Sequence, residues 1–348
     1  MKTETRKADH LNICLKNNVE IGSAGFSDVI LLHNALSGVD LNKAETEVRF
    51  LNKKFSFPLM ISSMTGGHNR SYKINTVLAE AAEKFNIPFA LGSQRAMLEN
   101  RKSVSTYRIR HLAPDVFLIG NLGVTNLSEY KKSDFEWLIN ETGIDALCIH
   151  LNPVQEACQL EGNTDFSDSM EMIENVCRDV GIPVIAKEVG NGISQFVAKK
   201  LEDAGIEAVD VAGFGGTSWP LVESYRKGLS SFSEWGIPTA VSVILCSHEL
   251  DVSVVSSGGV RSGIDIAKSM ALGADMTGMA LPILKQAMKG RKSLFEFMEQ
   301  KKKELKIAMF ATGCKNMKEL AKARVIITGR TREWIELYGI STESYAKR

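Results

Sequence analysis

The sequence predicts an α/β fold: one (β/α)8 TIM barrel with an N-terminal arm and extra C-terminal helices. Three observations predict it. Short apolar runs recur eight times between residues 57 and 279, at intervals of roughly 25 to 35 residues, the span of one βα unit. Segments of helical periodicity separate them, and no composition break divides the 348 residues into two ordinary domains. One uninterrupted strand-helix series of this length points to a barrel rather than a doubly wound sheet. On this reading residues 1–56 are an arm and a lead-in covering one end of the barrel, 57–290 the barrel, and 291–348 helices packed on it.

Taken in order, the strand candidates are 57–62, 89–92, 116–120, 146–151, 183–187, 208–212, 252–256 and 275–279. Each is an apolar run of the kind that a strand buried on both faces needs. Helical patterns cover 72–85, 103–112, 134–141, 168–180, 193–204, 239–250 and 264–272. Ser133 with Glu136 has capping-box spacing, and Gly143, Gly181, Gly205 and Gly273 stand where helices would stop. Beyond the barrel, Ser293 with Glu296 is a second capping box, opening a helix towards Thr312, and Asn316 with Glu319 starts another. The run Lys301-Lys302-Lys303 reads as the wet face of that long helix.

Composition removes several classes of function. Charge is balanced at 42 basic against 41 acidic residues, without the electrostatic footprint of a nucleic-acid binder. The six cysteines stand singly, so neither a zinc cluster nor a disulfide framework is indicated, and a reducing cytoplasm fits. The N-terminus has no apolar signal core, and the most apolar stretch, 237–246, is far short of a bilayer span. A soluble, cytoplasmic protein without the footprint of a nucleic-acid binder or a membrane span is the expectation.

In a barrel, the residues just past each strand converge on one face, where the chemistry sits. Here they are Ser63-Met64-Thr65-Gly66-Gly67, Ser93-Gln94-Arg95, Asn121-Leu122-Gly123, His150 to Glu156, Lys187-Glu188, Gly213 to Trp219, Ser257-Gly258-Gly259-Val260-Arg261 and Gly278 to Leu281. The stretch His150-Leu151-Asn152-Pro153-Val154-Gln155-Glu156 crowds polar groups at one strand end, and Pro153 should stop that strand near Leu151. Alone it is read equally well as a site or as a strand end opening into a solvated loop. After the seventh strand, Gly258 and Gly259 let backbone amides approach an anion and Arg261 supplies charge. Gly-Gly would also serve a tight turn, but barrels often bind phosphate with the loops after strands seven and eight, and a phosphate-bearing ligand is the favoured reading. Neither a G-x-G-x-x-G helix opening after an early strand nor a G-x-x-x-x-G-K motif occurs.

The segment Ser257 to Asp275 resembles the phosphate-binding segment of FMN-dependent barrels, including the α-hydroxy-acid oxidases. Further segments are more particular: Arg6-Lys7-x-Asp9-His10, Met64-Thr-Gly-Gly67, Gly92-Ser-Gln-Arg95, Asn121-Leu-Gly123, His150 to Glu156 and Gly215-Gly-Thr-Ser-Trp219. Together, in order from residue 6 to about 281, they resemble the type 2, FMN-dependent isopentenyl-diphosphate delta-isomerases. The resemblance implies FMN held by Ser63, Met64, Thr65, Ser93, Asn121, Lys187, Thr217, Gly259, Val260, Arg261, Ala280 and Leu281. It implies a diphosphate substrate on Arg6, Lys7, Ser93, Gln94, Arg95, Asn152 and Gln155, with Glu156 on Mg²⁺. Arg and Lys neutralise a diphosphate, and a hard carboxylate suits a magnesium ion that keeps most of its waters. Ala212 departs from the family, which commonly has a small hydroxyl residue there.

The implied reaction interconverts isopentenyl and dimethylallyl diphosphate by a 1,3-proton shift without net redox change. Reduced FMN does the acid-base work and NADPH or NADH reduces it. Gln155 and His150 are the candidate catalytic side chains, with His150 read as a substrate hydrogen-bonding group ahead of a proton-transfer group. Trp219 is either packing or a wall beside the prenyl chain, and Asp9 and His10 fix the arm. A homo-oligomer, tetramer or octamer, is implied. The rival is an FMN oxidoreductase of the α-hydroxy-acid oxidase type. That group usually carries a histidine base after strand six, and residues 213–219 contain none. A cysteine-nucleophile barrel is disfavoured because the same loop has no cysteine, and a non-catalytic flavin-binding protein would leave Arg95, Gln155 and Glu156 without a common task.

Overall fold

A computed structural model describes residues 3–348. Eight strands close a parallel barrel: β1 Leu59–Ile61, β2 Phe89–Ala90, β3 Leu118–Gly123, β4 Ala146–Leu151, β5 Val184–Glu188, β6 Ala208–Asp210, β7 Ser253–Ser257 and β8 Met276–Met279. Each pairs with the next, and β8 closes on β1 from Thr277 opposite Leu59 to Met279 opposite Ile61. Nearly every strand residue is buried, as expected of strands covered by side chains inside and helices outside.

All eight strands lie where the apolar runs put them, with shifted ends. β3 continues through Gly123 because Asn121, Leu122 and Gly123 pair with Cys148, Ile149 and His150. β6 stops at Asp210, and the backbone turns at Ala212, which adopts φ +35°. Pro153 ends β4 and opens a short helix, Pro153–Cys158, in place of the solvated loop; its ring sits in the first turn, where no backbone donor is needed. Gly143 caps the helix Lys132–Thr142 at φ +63°, a conformation that glycine adopts without a Cβ penalty.

Some local expectations fail. The predicted helix over 103–112 is two 3₁₀ segments, Arg101–Thr106 and Arg110–Leu112, after the short helix Arg95–Glu99. Side chains compete with the helix there: Asn100 accepts from Lys102 N, and Thr106 Oγ1 donates to Ser103 O at 2.8 Å. Neither predicted capping box forms. Asp134, not Glu136, accepts from the backbone at the helix start, from Lys131 N at 3.0 Å, and Ser293 turns instead to Gln286. Lys301 does not lie on a wet face. It is buried and paired with Glu304 at 2.9 Å, while Glu304 accepts from Gly263 N at 2.6 Å. That pair seats the long helix Arg291–Thr312 on the helix Gly263–Ala271 so closely that a Cβ on Gly263 would lie 2.4 Å from Lys301 O.

The lead-in reaches both ends of the barrel. Residues 19–24 run along the C-terminal rim, where Ile21 N donates to Gly216 O and Ser218 N donates to Val19 O. The hairpin of Val48–Phe50 and Lys53–Phe55 lies at the opposite end, with Phe55 edge-on to Phe117 just before β3. Val29–Leu31 pairs antiparallel with Val325–Ile327, tying the lead-in to the C-terminal segment. No helix among the described residues is long and apolar enough to cross a membrane.

Candidate active site

The C-terminal ends of the eight strands surround one cavity, and the N-terminal helix Thr3–Lys16 lies over it, contributing Arg6, Lys7 and His10 to its wall. Ser63, Met64, Thr65, Ser93, Arg95, Asn121, His150, Asn152, Gln155, Glu156, Lys187, Thr217, Gly259, Arg261, Ala280 and Leu281 all line it. Residues separated by more than two hundred positions thus share one space. Two candidates lie outside the lining. Gln94 is fully buried below the rim, where its Oε1 accepts from Asn121 N at 2.9 Å and ties the end of β2 to β3. That position makes Gln94 a support of the wall. Val260 is likewise fully buried, and its carbonyl accepts from the Arg261 guanidinium at 2.7 Å.

Adjacent strands fix the central polar groups by register. His150 on β4 stands opposite Lys187 on β5, and Lys187 stands opposite Asp210 on β6. His150 Nδ1 donates to Asn121 Oδ1 at 2.8 Å, since an amide oxygen only accepts, which leaves Nε2 as the acceptor. Burial, then the charges of Lys187, Lys7 and Arg6, push the imidazole down to about 3, so the ring is neutral. Lys187 Nζ donates to Glu188 O at 2.7 Å.

The short helix after β4 presents Asn152, Gln155 and Glu156 together. Asn152 Nδ2 donates to Glu156 Oε1 at 2.9 Å and to Gln155 Oε1 at 3.3 Å, while Asn152 Oδ1 is buried without a partner. Glu156 Oε2 accepts from Gln159 Nε2 at 2.5 Å and Asn163 N at 2.8 Å. Arg95 donates to Glu99 at 2.5 Å and to Asn126 at 3.2 Å.

Lys7 and His10 tie the arm to the rim. Lys7 Nζ donates to Ser93 O at 2.6 Å and to Tyr107 Oη at 2.9 Å, and Tyr107 Oη itself donates to Ser93 O at 2.6 Å. His10 Nε2 meets Glu223 Oε1 at 2.7 Å, and its ring is edge-on to Trp219 at 5.1 Å. Arg226 pairs with the same Glu223 and with Glu161. Sequence reasoning missed Tyr107, Asn126, Gln159 and Glu223. Gln159 was detectable, one helical turn from Glu156; the others are brought in by tertiary contact and carry no local signal.

The donor set fits a flavin mononucleotide. Ser62 Oγ and Ser63 Oγ are buried on the wall without partners, as hydroxyls waiting for a polar ligand would be. Backbones cross closely where the phosphate is expected: a Cβ on Gly216 would lie 2.6 Å from Gly259 N, and Gly258 and Gly259 adopt φ +96° and +73°. The helix Leu281–Lys289 begins beside them, directly after β8. Arg261 lines this corner and pairs with Glu20 of the lead-in. For a divalent cation, the described residues contain no cluster of three histidine, cysteine or carboxylate groups. A lone, partly exposed Glu156 suits an ion that takes its other ligands from water and phosphate.

Barrel and rim define the class: an FMN-dependent dehydrogenase type of protein, whose family model matches residues 136–327. Solved structures of similar fold include a mandelate oxidase variant with a monooxide FMN adduct, at TM-score 0.64 and 16% identity over 94% of this chain and 93% of that one. A flavocytochrome b2 variant with benzoylformate aligns at TM-score 0.65 and 17% identity, over 92% and 78%. Sequence relatives are more particular. The chain is 44% identical over 347 residues to an isopentenyl-diphosphate delta-isomerase of Archaeoglobus fulgidus, covering 97% of this chain and all of that protein. A protein of the same name from Methanothrix thermoacetophila is 44% identical over the whole of both chains. The chain belongs to the isopentenyl-diphosphate delta-isomerase family.

Proposed function

We propose that this enzyme interconverts isopentenyl and dimethylallyl diphosphate by a 1,3-proton shift, with FMN, Mg²⁺ and NADPH or NADH as reductant. One observation carries the reading: Ser93, Gln155 and Gly259, from three distant loops, open onto one cavity together with the arm residues Arg6 and Lys7. The relatives' shared name supports the substrate. Bound in reduced form, FMN would supply the acid-base chemistry of the proton shift with no net redox change.

The chain's own residues bind and orient. Ser63, Met64, Thr65, Ser93, Asn121, Lys187, Thr217, the Gly259-Val260-Arg261 loop, Ala280 and Leu281 hold the flavin, with Lys187 as a cation on the wall. Val260 takes part through its backbone, since its side chain lies outside the cavity. Arg6, Lys7, Ser93, Arg95 and Asn152 would hold the diphosphate, and Glu156 would hold a magnesium ion, which would supply further charge neutralisation. Gln155 orients the alkene end. His150, neutral and with Nε2 accepting, orients rather than transfers a proton. Trp219 gives the prenyl chain and any cationic character an aromatic wall. A homo-oligomer, tetramer or octamer, working in the cytoplasm completes the proposal; all six cysteines are free, as a reducing compartment keeps them.

The test is direct: purified protein is incubated with isopentenyl diphosphate, FMN, Mg²⁺ and NADPH, and products are followed beside NADPH. Dimethylallyl diphosphate without stoichiometric loss of NADPH is expected. Oxidation of a 2-hydroxy acid, with no isomer formed, would overturn the reading in favour of an oxidase of the α-hydroxy-acid type.

A further inference from the structure

Asp210 is fully buried at the end of β6 and does not line the cavity, yet the three residues its carboxylate bonds or pairs with, Lys187, Ala212 and Ser257, all do. Its Oδ1 accepts from Ser257 Oγ at 2.6 Å and from Ala212 N at 3.3 Å. Its Oδ2 has no hydrogen-bond partner and lies 3.5 Å from Lys187 Nζ. One carboxylate therefore stands behind three wall residues drawn from β5, the end of β7 and the turn after β6. A charge this deeply buried is sustained by an opposite charge, and Lys187 is the cation facing it in the ladder. Lys187 in turn has only 11% of its side chain exposed, and the carbonyl it donates to, Glu188 O, carries no full charge. Ala212 is held at φ +35°, a backbone state that a non-glycine residue keeps only when its surroundings impose it, and the bond from its N–H to Asp210 is such a constraint.

We propose that Asp210 is a positioning residue for the flavin site, acting as the buried counter-ion that fixes the Lys187 ammonium on the cavity wall. The inference rests on the FMN reading above and adds a residue to it. Ser257 and Ala212 hold the carboxylate from behind, so its free oxygen faces the lysine and the lysine is left one direction, towards the ligand.

The experiment is a double-mutant cycle of Asp210→Asn and Lys187→Met, read as FMN affinity and as the midpoint potential of bound FMN. In the otherwise unchanged protein, Asp210→Asn should weaken FMN binding about tenfold, the size expected when contacting charges are uncoupled. In the Lys187→Met background the same change should alter binding less than about twofold, because the charge it serves is gone. The midpoint potential should shift with Asp210→Asn in the first background and stay put in the second. Equal effects in both backgrounds would show that Asp210 acts only through Ser257 and Ala212, and would overturn the proposal. Should Asp210→Asn alone fail to fold, the double variant decides: recovery of folding supports a lysine left without its counter-ion, and an equally unfolded double variant overturns it. Failure of the unmodified protein to bind FMN would remove the cofactor reading, and this inference with it.

Discussion

His150 Nδ1 and Asn121 Oδ1 lie 2.8 Å apart across β4 and β3, and that bond fixes which nitrogen of the ring carries the proton. Burial and nearby cations lower the imidazole to about 3 from an ordinary value of 6.5. Two outcomes follow. The pH profile of kcat/KM should have no limb from this histidine near neutrality. Because the folded state disfavours the proton, the stability contributed by the neutral ring is complete above pH 6.5 and is lost as pH falls from there towards 3. Unfolding free energies from urea titrations at pH 7, 5 and 4 should therefore fall less for His150→Gln than for the unmodified protein, by up to about 1.4 kcal/mol per pH unit. The same acid slope in both would remove His150 from this account.

Gln155 is held through its Oε1 by Asn152 Nδ2 at 3.3 Å and reaches the cavity from the first turns of Pro153–Cys158. Alanine is a good helix former, so truncation there should remove the side chain without breaking the helix. Gln155→Ala should lower kcat about a hundredfold, within the usual range for a positioned polar group, with FMN affinity unchanged. Near-unmodified turnover would exclude Gln155 from the chemistry.

How much of this was legible in the chain depends on how local each cause is. Strands buried on both faces need apolar runs, so all eight were visible, and the residues after them had to share a rim. The direction of a side chain at that rim was not visible. Gln94 sits between Ser93 and Arg95, both lining residues, yet points into the wall, because only the approach of β3 supplies the Asn121 N–H that it accepts. Lys301 looked like part of a solvated run; its burial needs Glu304 one turn on and the close approach of Gly263. Tyr107 and Glu223, which tie down the arm, lie about 100 and 213 positions from their partners Lys7 and His10, and no spacing rule reaches that far.

Lys7 spans the arm and the second loop, with its ammonium on Ser93 O and Tyr107 Oη. Gly66 and Gly67 make room for this tyrosine: a Cβ on Gly66 would come within 2.2 Å of its ring. Lys7→Ala should raise KM for the diphosphate about tenfold or more, the cost of a lost charge-assisted bond, while kcat changes less. Tyr107→Phe should move KM in the same direction by a smaller factor. An unchanged KM in Lys7→Ala would count against the arm as a diphosphate clamp.

Glu156 keeps both oxygens occupied by Asn152, Gln159 and Asn163, which hold the carboxylate in one orientation while leaving lone pairs for a cation. Chelation by EDTA should abolish turnover while FMN remains bound. Glu156→Gln should raise the Mg²⁺ concentration for half-maximal rate by about tenfold or more, and Gln159→Ala should do so to a lesser degree. If Glu156→Gln titrates with Mg²⁺ like the unmodified enzyme, the ion is held elsewhere.

Glu188 ends β5 next to Lys187, and its Oε2 accepts from the backbone N–H groups of Val189, Gly190 and Asn191 at 2.6, 2.7 and 2.5 Å. Burial raises the carboxyl to about 7, against the pull of those three donors and of Lys187. An acid whose folded value lies above its unfolded one binds protons more tightly when folded, so its contribution is complete below pH 4.5 and is lost as pH rises through 7. Glu188→Gln keeps the acceptor and cannot titrate. Between pH 4.5 and 7 the unmodified protein should lose up to about 1.4 kcal/mol per pH unit relative to this variant, and above 7 the difference should level off. Val189 and Gly190 line the cavity, so FMN affinity is the second readout, and it should lose part of its dependence on pH in Glu188→Gln. Parallel stability curves for the two proteins across that window would mean that Glu188 carries the same charge, folded or unfolded, and that the turn after β5 is insensitive to it.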